Sequence, residues 1–467
     1  MSAPARYPRG RLAARPDSHY VQPAVRWGFY AFVFSIPLEY PDRTIPLEVH
    51  TITGSLFLLI ALVQPQFCFR RPPAAFWWLA AYLWIYLILG LVAEHTGEAL
   101  KLFGNYLLVA FLFWVSYNLM RHESVARAAV LSFVLACALL ALLHFLGIGT
   151  RTIMDGQVAR RTIFGQNANL LGSNMALGFA AVIALTYGVH KAAFQLPLAA
   201  GLALLLGNSL ILSGSRGAMV ALGVGLLAFT LQIGNISIIA RNLALALLAG
   251  AAVTWAAYTS DSMRTRYEQT LSKGRLSGRE QIYPAAWQMF VERPLTGWGP
   301  VDNNYELGWR TVGYRIGSRW ALGLSPKPDK DFHNLMLDVL TATGVLGAFP
   351  LLMCIALCVR AAWKARAGPQ GTMPFALAAV VLVVSMSIDV SASKQPWLIF
   401  ALAAASGSRV SFRARGTHVP ARVTSVHGVA FPSTRDMGAE PPGLSVHLPA
   451  ALHLLSAPPG RRGFRLE

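Results

Sequence analysis

The stretch LPLAAGLALLLGNSLILSGSRGAMVALGVGLLAF, residues 196–229, decides the fold of this chain. Two apolar runs, Leu196–Leu212 and Ala218–Phe229, flank the short polar segment Ser213–Gly217, which contains Arg216. Each run is long enough to cross a bilayer or nearly so, since a span needs about 20 apolar residues. The polar segment leaves room only for a tight hairpin. The pattern therefore places Arg216 at one membrane surface, where a cation between two spans needs a reason.

The composition extends this pattern over most of the chain. Of its 467 residues, 55% are hydrophobic and only 13% are charged, a balance too apolar for a soluble domain. We therefore predict an all-α polytopic membrane protein with about twelve transmembrane helices. The candidate spans lie near residues 26–38, 48–64, 74–93, 99–119, 125–147, 170–189, 196–212, 217–233, 240–258, 334–358, 374–390 and 395–408.

The positive charge of the chain predicts its orientation in the membrane. A net charge of +19 would suggest a nucleic-acid partner in a soluble protein, but here the basic residues occupy the amino terminus and every second connection. Examples are Arg70, Arg127 and Lys364. Because positive residues are retained on the cytoplasmic side, these connections are predicted to be cytoplasmic. An even number of spans then places both termini in the cytoplasm and Arg216 on the external face.

The same pattern divides the chain into regions. We predict a cytoplasmic amino-terminal segment over 1–25, transmembrane helices 1–9 over 26–258, and a large external loop with amphipathic helices over 259–333. Helices 10–12 follow over 334–410, and a tail rich in Arg, Pro, Gly and Ser over 411–467 is predicted to be disordered and cytoplasmic. The four cysteines lie in or beside the spans, so they predict neither a disulfide framework nor a metal site.

The external loop contains the start signal of a helix. Ser277-Gly278-Arg279-Glu280 fits a capping box, in which the first and last side chains bond reciprocally to the backbone. Apolar residues then recur at helical spacing, and we expect them to face either the membrane or the bundle. Those residues are Ile282, Ala285, Ala286, Met289 and Phe290.

The external face collects polar residues that the positive-inside rule disfavours there. The spans that begin near Asn167, Arg216 and His333 all run inward, so each presents free backbone N–H groups and the positive end of its dipole to the outside. Such an arrangement favours a multiply charged anion, for which a lipid phosphate or pyrophosphate is the natural candidate at a membrane. The residues concerned are Arg160, Arg161, Asn167, Asn169, Arg216, Arg279, His333 and Asn334.

Each of these residues also has a purely structural interpretation. Arg216 could cap a helix or face a lipid headgroup, Arg279 could be solvated, and His333 could simply begin a helix. An anion or lipid transporter would also place arginines in a membrane protein. Transporters, however, carry ionisable groups near the bilayer midplane, whereas the polar set here lies at one face.

The motifs resemble a known family. Ser215-Arg216-Gly217-Ala218, Gly278-Arg279, Arg293–Pro300, and His333-Asn334 followed by Leu337 and Gly344 are similar to the O-antigen ligase and polymerase superfamily of bacterial envelopes. The resemblance implies a multi-pass protein of the inner membrane that acts at the periplasmic face on glycans linked to undecaprenyl pyrophosphate. Val220 and Asn334 stand where the ligase pattern often has Leu and Ser, so ligase and polymerase both stay open.

By this resemblance the favoured function is ligation of a glycan from undecaprenyl pyrophosphate onto lipid A-core oligosaccharide. His333 would act as the base, Arg216 and Arg279 would stabilise the leaving group, and the single displacement would invert the anomeric centre. Neither a metal nor another cofactor is expected, and no nucleic acid is a partner. The alternatives are a polymerase, a protein O-oligosaccharyltransferase and an anion or lipid transporter. Substrate contacts are expected from Arg160, Arg161, Asn167, Asn169 and Asn334.

Overall fold

The chain forms a bundle of helices. The computed structural model describes residues 21–38, 48–155, 158–186, 192–231, 236–260, 263–265, 267–268, 272, 279–313, 330–367, 371–388 and 392–417. Before the candidate site the helices are α1 (Pro23–Ser35), α2 (Val49–Ala61), α3 (Pro65–Cys68), α4 (Ala74–Leu91), α5 (Thr96–Met120), α6 (Glu123–Phe145), α7 (Ala168–Thr186) and α8 (Ala192–Ser213). The later helices are α9 (Arg216–Ala228), α10 (Ile236–Thr259), α11 (Arg279–Glu292), α12 (Asp302–Gly313), α13 (Leu335–Lys364), α14 (Met373–Ser385) and α15 (Lys394–Thr417).

Several helices have the length and composition of membrane spans. Within the described residues, five are long and apolar enough to cross a bilayer: α4, α5, α6, α7 and α13. Shorter apolar helices include α2, α9 and α14. A thirteen-residue helix such as α9 extends only about 20 Å at 1.5 Å per residue. The chain is therefore a multi-pass membrane protein, and about twelve spans remain a prediction.

Helix α7 lies at the centre of the bundle. It packs against α6, α8, α9 and α14, and nearly all of its residues from Ala168 to Ala184 are buried. Small residues permit this close packing: a Cβ atom on Gly172 would lie 2.6 Å from the Cβ of Ser215. The first turn of α7 is thereby held directly against the turn that precedes Arg216.

The chain is mostly helical, as predicted, but one connection contains a pair of strands that the prediction did not include. Residues Thr150–Asp155 (β1) and Val158–Ile163 (β2) form an antiparallel hairpin, in which Ile153 is paired with Arg160 and Thr152 with Arg161. A prediction based on spans treats 148–169 as a simple loop. The strands instead satisfy their backbone N–H and C=O groups by pairing with each other. The hairpin packs against α6, α7 and α8.

Helix α13 is broken, which corrects the expectation that His333 stands at the start of a continuous span. Gly344 has φ 61° and ψ −162°, far from helical values. The segment 294–299 satisfies the backbone groups that the break exposes: the N–H groups of Trp298 and Gly299 donate to the carbonyls of Thr341 and Ala342, at 2.7 and 3.0 Å. His333 therefore precedes a short helix, Leu335–Thr343, that ends at this joint.

The joint is completed from the other side of the break. The N–H of Val345 donates to the carbonyl of Pro294 at 2.8 Å, and that of Leu346 donates to Leu295 at 3.2 Å. Irregular backbone inside a membrane protein is tolerated when protein groups satisfy it in this way. We call these backbone pairs between residues 294–299 and 341–346 the Gly344 joint.

The start of α11 confirms the prediction that a helix begins at the capping-box sequence, since α11 starts at Arg279. Ser277 and Gly278 lie outside the described residues. The predicted apolar stripe faces the bundle: Ile282, Ala286 and Met289 are buried together with Phe332. At the carboxyl end, α15 runs to Thr417, past the predicted boundary at 410, and 418–467 lie outside the described residues.

Candidate active site

The amino ends of four helices meet at one end of the bundle. These helices, α7, α9, α13 and α15, begin at Ala168, Arg216, Leu335 and Lys394. Side chains link them directly: Gln395 Nε2 donates to Ser173 Oγ at 3.4 Å, and Ser387 connects α9 to residues beside α13, as shown below. We call this the arginine end. Because a helix amino end carries partial positive charge, four such ends favour an anion.

Arg216 is the first residue of α9, as the sequence predicts. Ser215 is the N-cap, and its Oγ accepts a hydrogen bond from the N–H of Ala218 at 3.4 Å. Gly214 makes the preceding turn with φ 65°, a conformation that glycine adopts without steric cost. Tyr267 lies close to Arg216: burial raises the pKa of Tyr267, and the positive charge of Arg216 opposes this rise.

Arg279 binds the carboxyl end of α14. Its Nη2 donates to the carbonyl of Ser387 at 2.6 Å, where the partial negative charge of a helix end favours a cation. The same residue contacts the start of α9, because a Cβ on Gly217 would lie 2.5 Å from Ser387 Oγ. Arg216 and Arg279, which are 63 positions apart in the chain, therefore flank one residue of α14's carboxyl end.

The segment that carries His333 reaches the same turn. Asn334 is the N-cap of α13: its Oδ1 accepts hydrogen bonds from the N–H groups of Met336 and Leu337, at 2.9 and 3.2 Å. Its Nδ2 lies 3.5 Å from the carbonyl of Met386. His333 has a positive φ of 51° and is half-buried. The structure thus places Arg279 and the chain neighbours of His333 and Arg216, which are Asn334 and Gly217, around residues 386–387.

Arg160 and Asn169 brace the turn before Arg216. Arg160 is buried; its Nε donates to the carbonyl of Ser213 at 3.0 Å, and its Nη2 donates to Oδ1 of Asn169 at 2.8 Å. Asn167 Oδ1 accepts from the N–H of Asn169 at 2.8 Å, as an amino-end cap does. These residues have structural partners, and their contact with substrate stays a prediction.

Arg161 is separated from this group by the alternation of the strand. Successive side chains of a strand point to opposite faces, so β2 buries Arg160 and leaves Arg161 exposed. Arg161 therefore lies on the face of the hairpin opposite to Arg160, away from the turn at Ser213 that Arg160 contacts.

Three side chains at the arginine end make contacts that were not predicted from the sequence. Asp331 contacts His333, with 3.0 Å between Oδ2 and Nδ1. The hydroxyl of Tyr283 donates to the carbonyl of Met386 at 3.2 Å. Lys394, which is buried, donates to Glu48 Oε2 at 3.3 Å and to Thr51 Oγ1 at 2.9 Å, and so joins α15 to α2. Spacing along the chain does not show the contacts of Tyr283 and Lys394, because their partners are more than 100 positions away. Asp331 is two positions from His333, but its contact with the ring depends on the backbone conformation of His333.

The charge balance of the site suits an anionic ligand. Two guanidinium groups and four helix amino ends supply positive charge, and one imidazole supplies a group that can take a proton near neutral pH. Among the described residues, no group of three or more His, Cys, Asp or Glu side chains could hold a metal ion. The arrangement can therefore hold a phosphate-bearing group beside a proton acceptor.

Comparisons with known proteins agree with this geometry. Residues 201–352 match the family model described as O-antigen ligase, and this range contains Arg216, Arg279 and His333. The chain is also similar to a curated O-antigen ligase of Pseudomonas aeruginosa, with 26% identity over 358 residues, which cover 74% of this chain and 75% of that protein. Both findings support the family that the motifs resemble, in which a lipid-linked glycan is transferred. The chain is therefore similar to the O-antigen ligase superfamily, both in the region 201–352 and over about three quarters of its length.

Proposed function

We propose that this protein is an O-antigen ligase that moves a glycan from undecaprenyl pyrophosphate onto lipid A-core oligosaccharide at the periplasmic face of the inner membrane. The observation that carries the proposal is that Arg279 and the chain neighbours of Arg216 and His333 all contact residues 386–387. Two cations and a proton acceptor are what glycosyl transfer from a pyrophosphate requires. Similarity to O-antigen ligases supports the class of reaction.

In the proposed step, a hydroxyl oxygen of the acceptor attacks the anomeric carbon of the glycan. The bond between that carbon and the pyrophosphate oxygen breaks, its electron pair leaves with undecaprenyl pyrophosphate, and the hydroxyl proton passes to the imidazole of His333. One displacement of this kind inverts the anomeric centre. The products are the glycosylated acceptor and free undecaprenyl pyrophosphate.

The arginines act on the leaving group. Negative charge on the pyrophosphate grows as the bond breaks, so cations fixed in advance stabilise the transition state more than the bound substrate. Arg279 is fixed by its bond to Ser387, and Arg216 is fixed by its place in the first turn of α9. The proposed reaction needs no metal ion, because these groups offset the charge.

The ligase is proposed ahead of the polymerase because the family model and the curated relative are both described as O-antigen ligase. Deletion of the gene separates the two. Loss of the ligase leaves long glycans on undecaprenyl pyrophosphate and a bare lipid A-core, whereas loss of a polymerase leaves core that carries one repeat unit. Unchanged glycans would contradict both functions.

Complementation of the deletion tests the residues. We expect Arg216→Ala and Arg279→Ala each to restore little ligation, because loss of a preorganised electrostatic donor lowers kcat by about 100- to 1,000-fold. Arg216→Lys retains the charge but not the planar fork of donors, so we expect partial activity. Arg151→Ala is the matched control, since Arg151 is an exposed arginine on the hairpin with no assigned role. Full activity of Arg216→Ala at normal expression would remove its role.

A further inference from the structure

One carboxylate accepts a hydrogen bond from the backbone of His333 and lies within contact distance of its ring, whose Nδ1 is buried. Oδ1 of Asp331 accepts a hydrogen bond from the N–H of His333 at 2.8 Å, and Oδ2 lies 3.0 Å from Nδ1 of the imidazole. Both side chains are partly exposed, 32% for His333 and 45% for Asp331, so the pair is open to a ligand. The contact therefore places the buried Nδ1 on the carboxylate side of the ring.

The backbone between these residues is held in an uncommon conformation. His333 has φ 51°, in a region that non-glycine residues rarely adopt and that is found mainly where the surroundings impose it. Two neighbours impose it here. Phe332 is fully buried beside Ile282, Met289 and Leu307, and Asn334 is fixed as the N-cap of α13. The chain between these anchors turns His333 towards Asp331.

The carboxylate is ionised at neutral pH. Burial raises the pKa of Asp331, but the hydrogen bonds from the ring and backbone of His333 and the positive charges of His333 and Arg279 outweigh it, so the pKa is lowered overall. Within the described residues, His333 and Arg279 are the charged groups that act on this carboxylate. An ionised carboxylate beside Nδ1 favours the tautomer with the proton on Nδ1, which leaves the lone pair of Nε2 free.

We propose that Asp331 is the positioning partner of His333, holding Nδ1–H so that Nε2 takes the proton of the acceptor hydroxyl. This inference rests on the proposed function, in which His333 is the base. During transfer the O–H bond of the acceptor breaks, its proton joins Nε2, and the Nδ1 proton stays between imidazole and carboxylate. The negative charge of Asp331 then stabilises the imidazolium that forms.

Charge placement explains why the carboxylate does not repel the donor. The pyrophosphate would lie by Arg216 and Arg279, and the positive charge of Arg279 also acts on Asp331. Arg279 thus attracts both the anionic donor and the carboxylate that orients the base. Asp331 belongs to the proton-accepting side of the site, whereas the two arginines belong to the leaving-group side.

Steady-state kinetics of the full-length purified protein test the inference. The donor is undecaprenyl-pyrophosphate-linked glycan extracted from the deletion strain, and the acceptor is lipid A-core from the same strain. We expect Asp331→Asn to lower kcat by about 100-fold or more, the usual scale for general base catalysis, with KM for the donor changed less than about 2-fold. Asp331→Glu should recover part of kcat, because it restores the charge.

The pH profile separates positioning from a structural role. Without the carboxylate the imidazolium loses its favourable partner, so the acid limb of the activity profile of Asp331→Asn should move to lower pH by about one unit. Asp302→Asn is the control, because Asp302 binds His95 and the α4–α5 connection instead. A loss of activity in Asp331→Asn with an unmoved acid limb would overturn the inference.

The double variant Asp331→Asn/His333→Ala separates a failure of this inference from a failure of the proposed function. If the two residues act as a unit, Asp331→Asn/His333→Ala is no slower than His333→Ala alone. Wild-type kcat in Asp331→Asn, or additive losses in the double variant, would overturn the dyad while His333 keeps its role. Wild-type kcat in His333→Ala would instead refute the proposed base. If Asp331→Asn accumulates poorly, Asp331→Ser carries the same pH test, because it also removes the charge.

Discussion

Two neighbouring arginines of β2, Arg160 and Arg161, differ in burial and in hydrogen bonding. Arg160 is buried and donates to the Ser213 carbonyl and to Asn169, and so holds the turn that leads to Arg216. Arg161 is exposed on the other face of the hairpin. A buried charged donor that loses its bonds costs far more than an exposed one. Adjacent residues of one type are therefore expected to differ in their contribution to stability.

Substitution of each arginine tests this difference. Arg160→Ala removes two hydrogen bonds from a charged donor, so we expect it to lower the free energy of unfolding by about 2–4 kcal/mol and to reduce activity. Arg161→Ala, the matched control, should change stability by less than about 0.5 kcal/mol. Thermal unfolding in detergent measures both. Equal unfolding temperatures would show that Arg160 does not brace the turn.

At the scale of single residues, the sequence predicted which residues lie in the site better than it predicted which residues they contact. The positions of Arg216 and His333 beside helix amino ends follow from span boundaries alone. Asp331 could not be recognised as a partner of His333, because that contact depends on the positive φ of His333 and on the burial of Phe332. The capping role of Asn334 is local and was open to prediction from residue type.

The Gly344 joint is the element that positions the two halves of the site. It ties the segment after α11 to the break in α13, so that Arg279 at one end of α11 and His333 before α13 belong to one rigid unit. Gly344 and Gly297 both have positive φ. A Cβ on Gly344 would lie 2.2 Å from the carbonyl oxygen of Leu295, and one on Gly297 would lie 2.5 Å from that of Thr341.

Alanine at Gly344 should disrupt the joint. The Cβ would meet backbone that cannot move without breaking the pairs with Val345 and Leu346, and φ 61° is unfavourable for alanine. We expect a loss of more than about 3 kcal/mol in stability, seen as a lower unfolding temperature.

Gly223→Ala is the control for this prediction. Gly223 lies within α9, and a Cβ there meets nothing within 4 Å, so alanine should raise stability by about 0.5–1 kcal/mol. A lower unfolding temperature for Gly223→Ala than for Gly344→Ala would mean that the joint is not rigid.

The sequence predicted most elements and missed the joint for a physical reason. Helical periodicity and length depend on local residues, so the apolar spans and the start of α11 at Arg279 could be predicted. The break at Gly344 depends on hydrogen bonds to residues 294–299, which are about 45 positions away in the chain. The motif Arg293–Pro300, on which part of the family resemblance rests, supplies residues 294–299 of this joint. In this structure the motif positions the site.

At the scale of the whole molecule, the distribution of charge predicts which side the site faces. The positive residues of alternate connections favour the cytoplasm, and the arginine end is opposite to the end that contains Lys364, since α13 starts beside Asn334 and finishes at Lys364. The site should therefore open to the periplasm. A lipid-linked donor would then place its glycan outside the membrane and its tail within the bilayer.

Cysteine labelling in spheroplasts, whose inner membrane is intact, tests this orientation. The four native cysteines, Cys68, Cys137, Cys354 and Cys358, are all buried, so a membrane-impermeant maleimide should not label the wild-type chain. Arg161→Cys and Lys364→Cys introduce thiols at exposed positions near opposite ends of the bundle. Because the arginine end is predicted to be periplasmic, we expect Arg161→Cys to be labelled in spheroplasts and Lys364→Cys only after lysis. Labelling of Lys364→Cys alone in spheroplasts would invert the topology, and the proposed transfer at the periplasmic face would then be wrong.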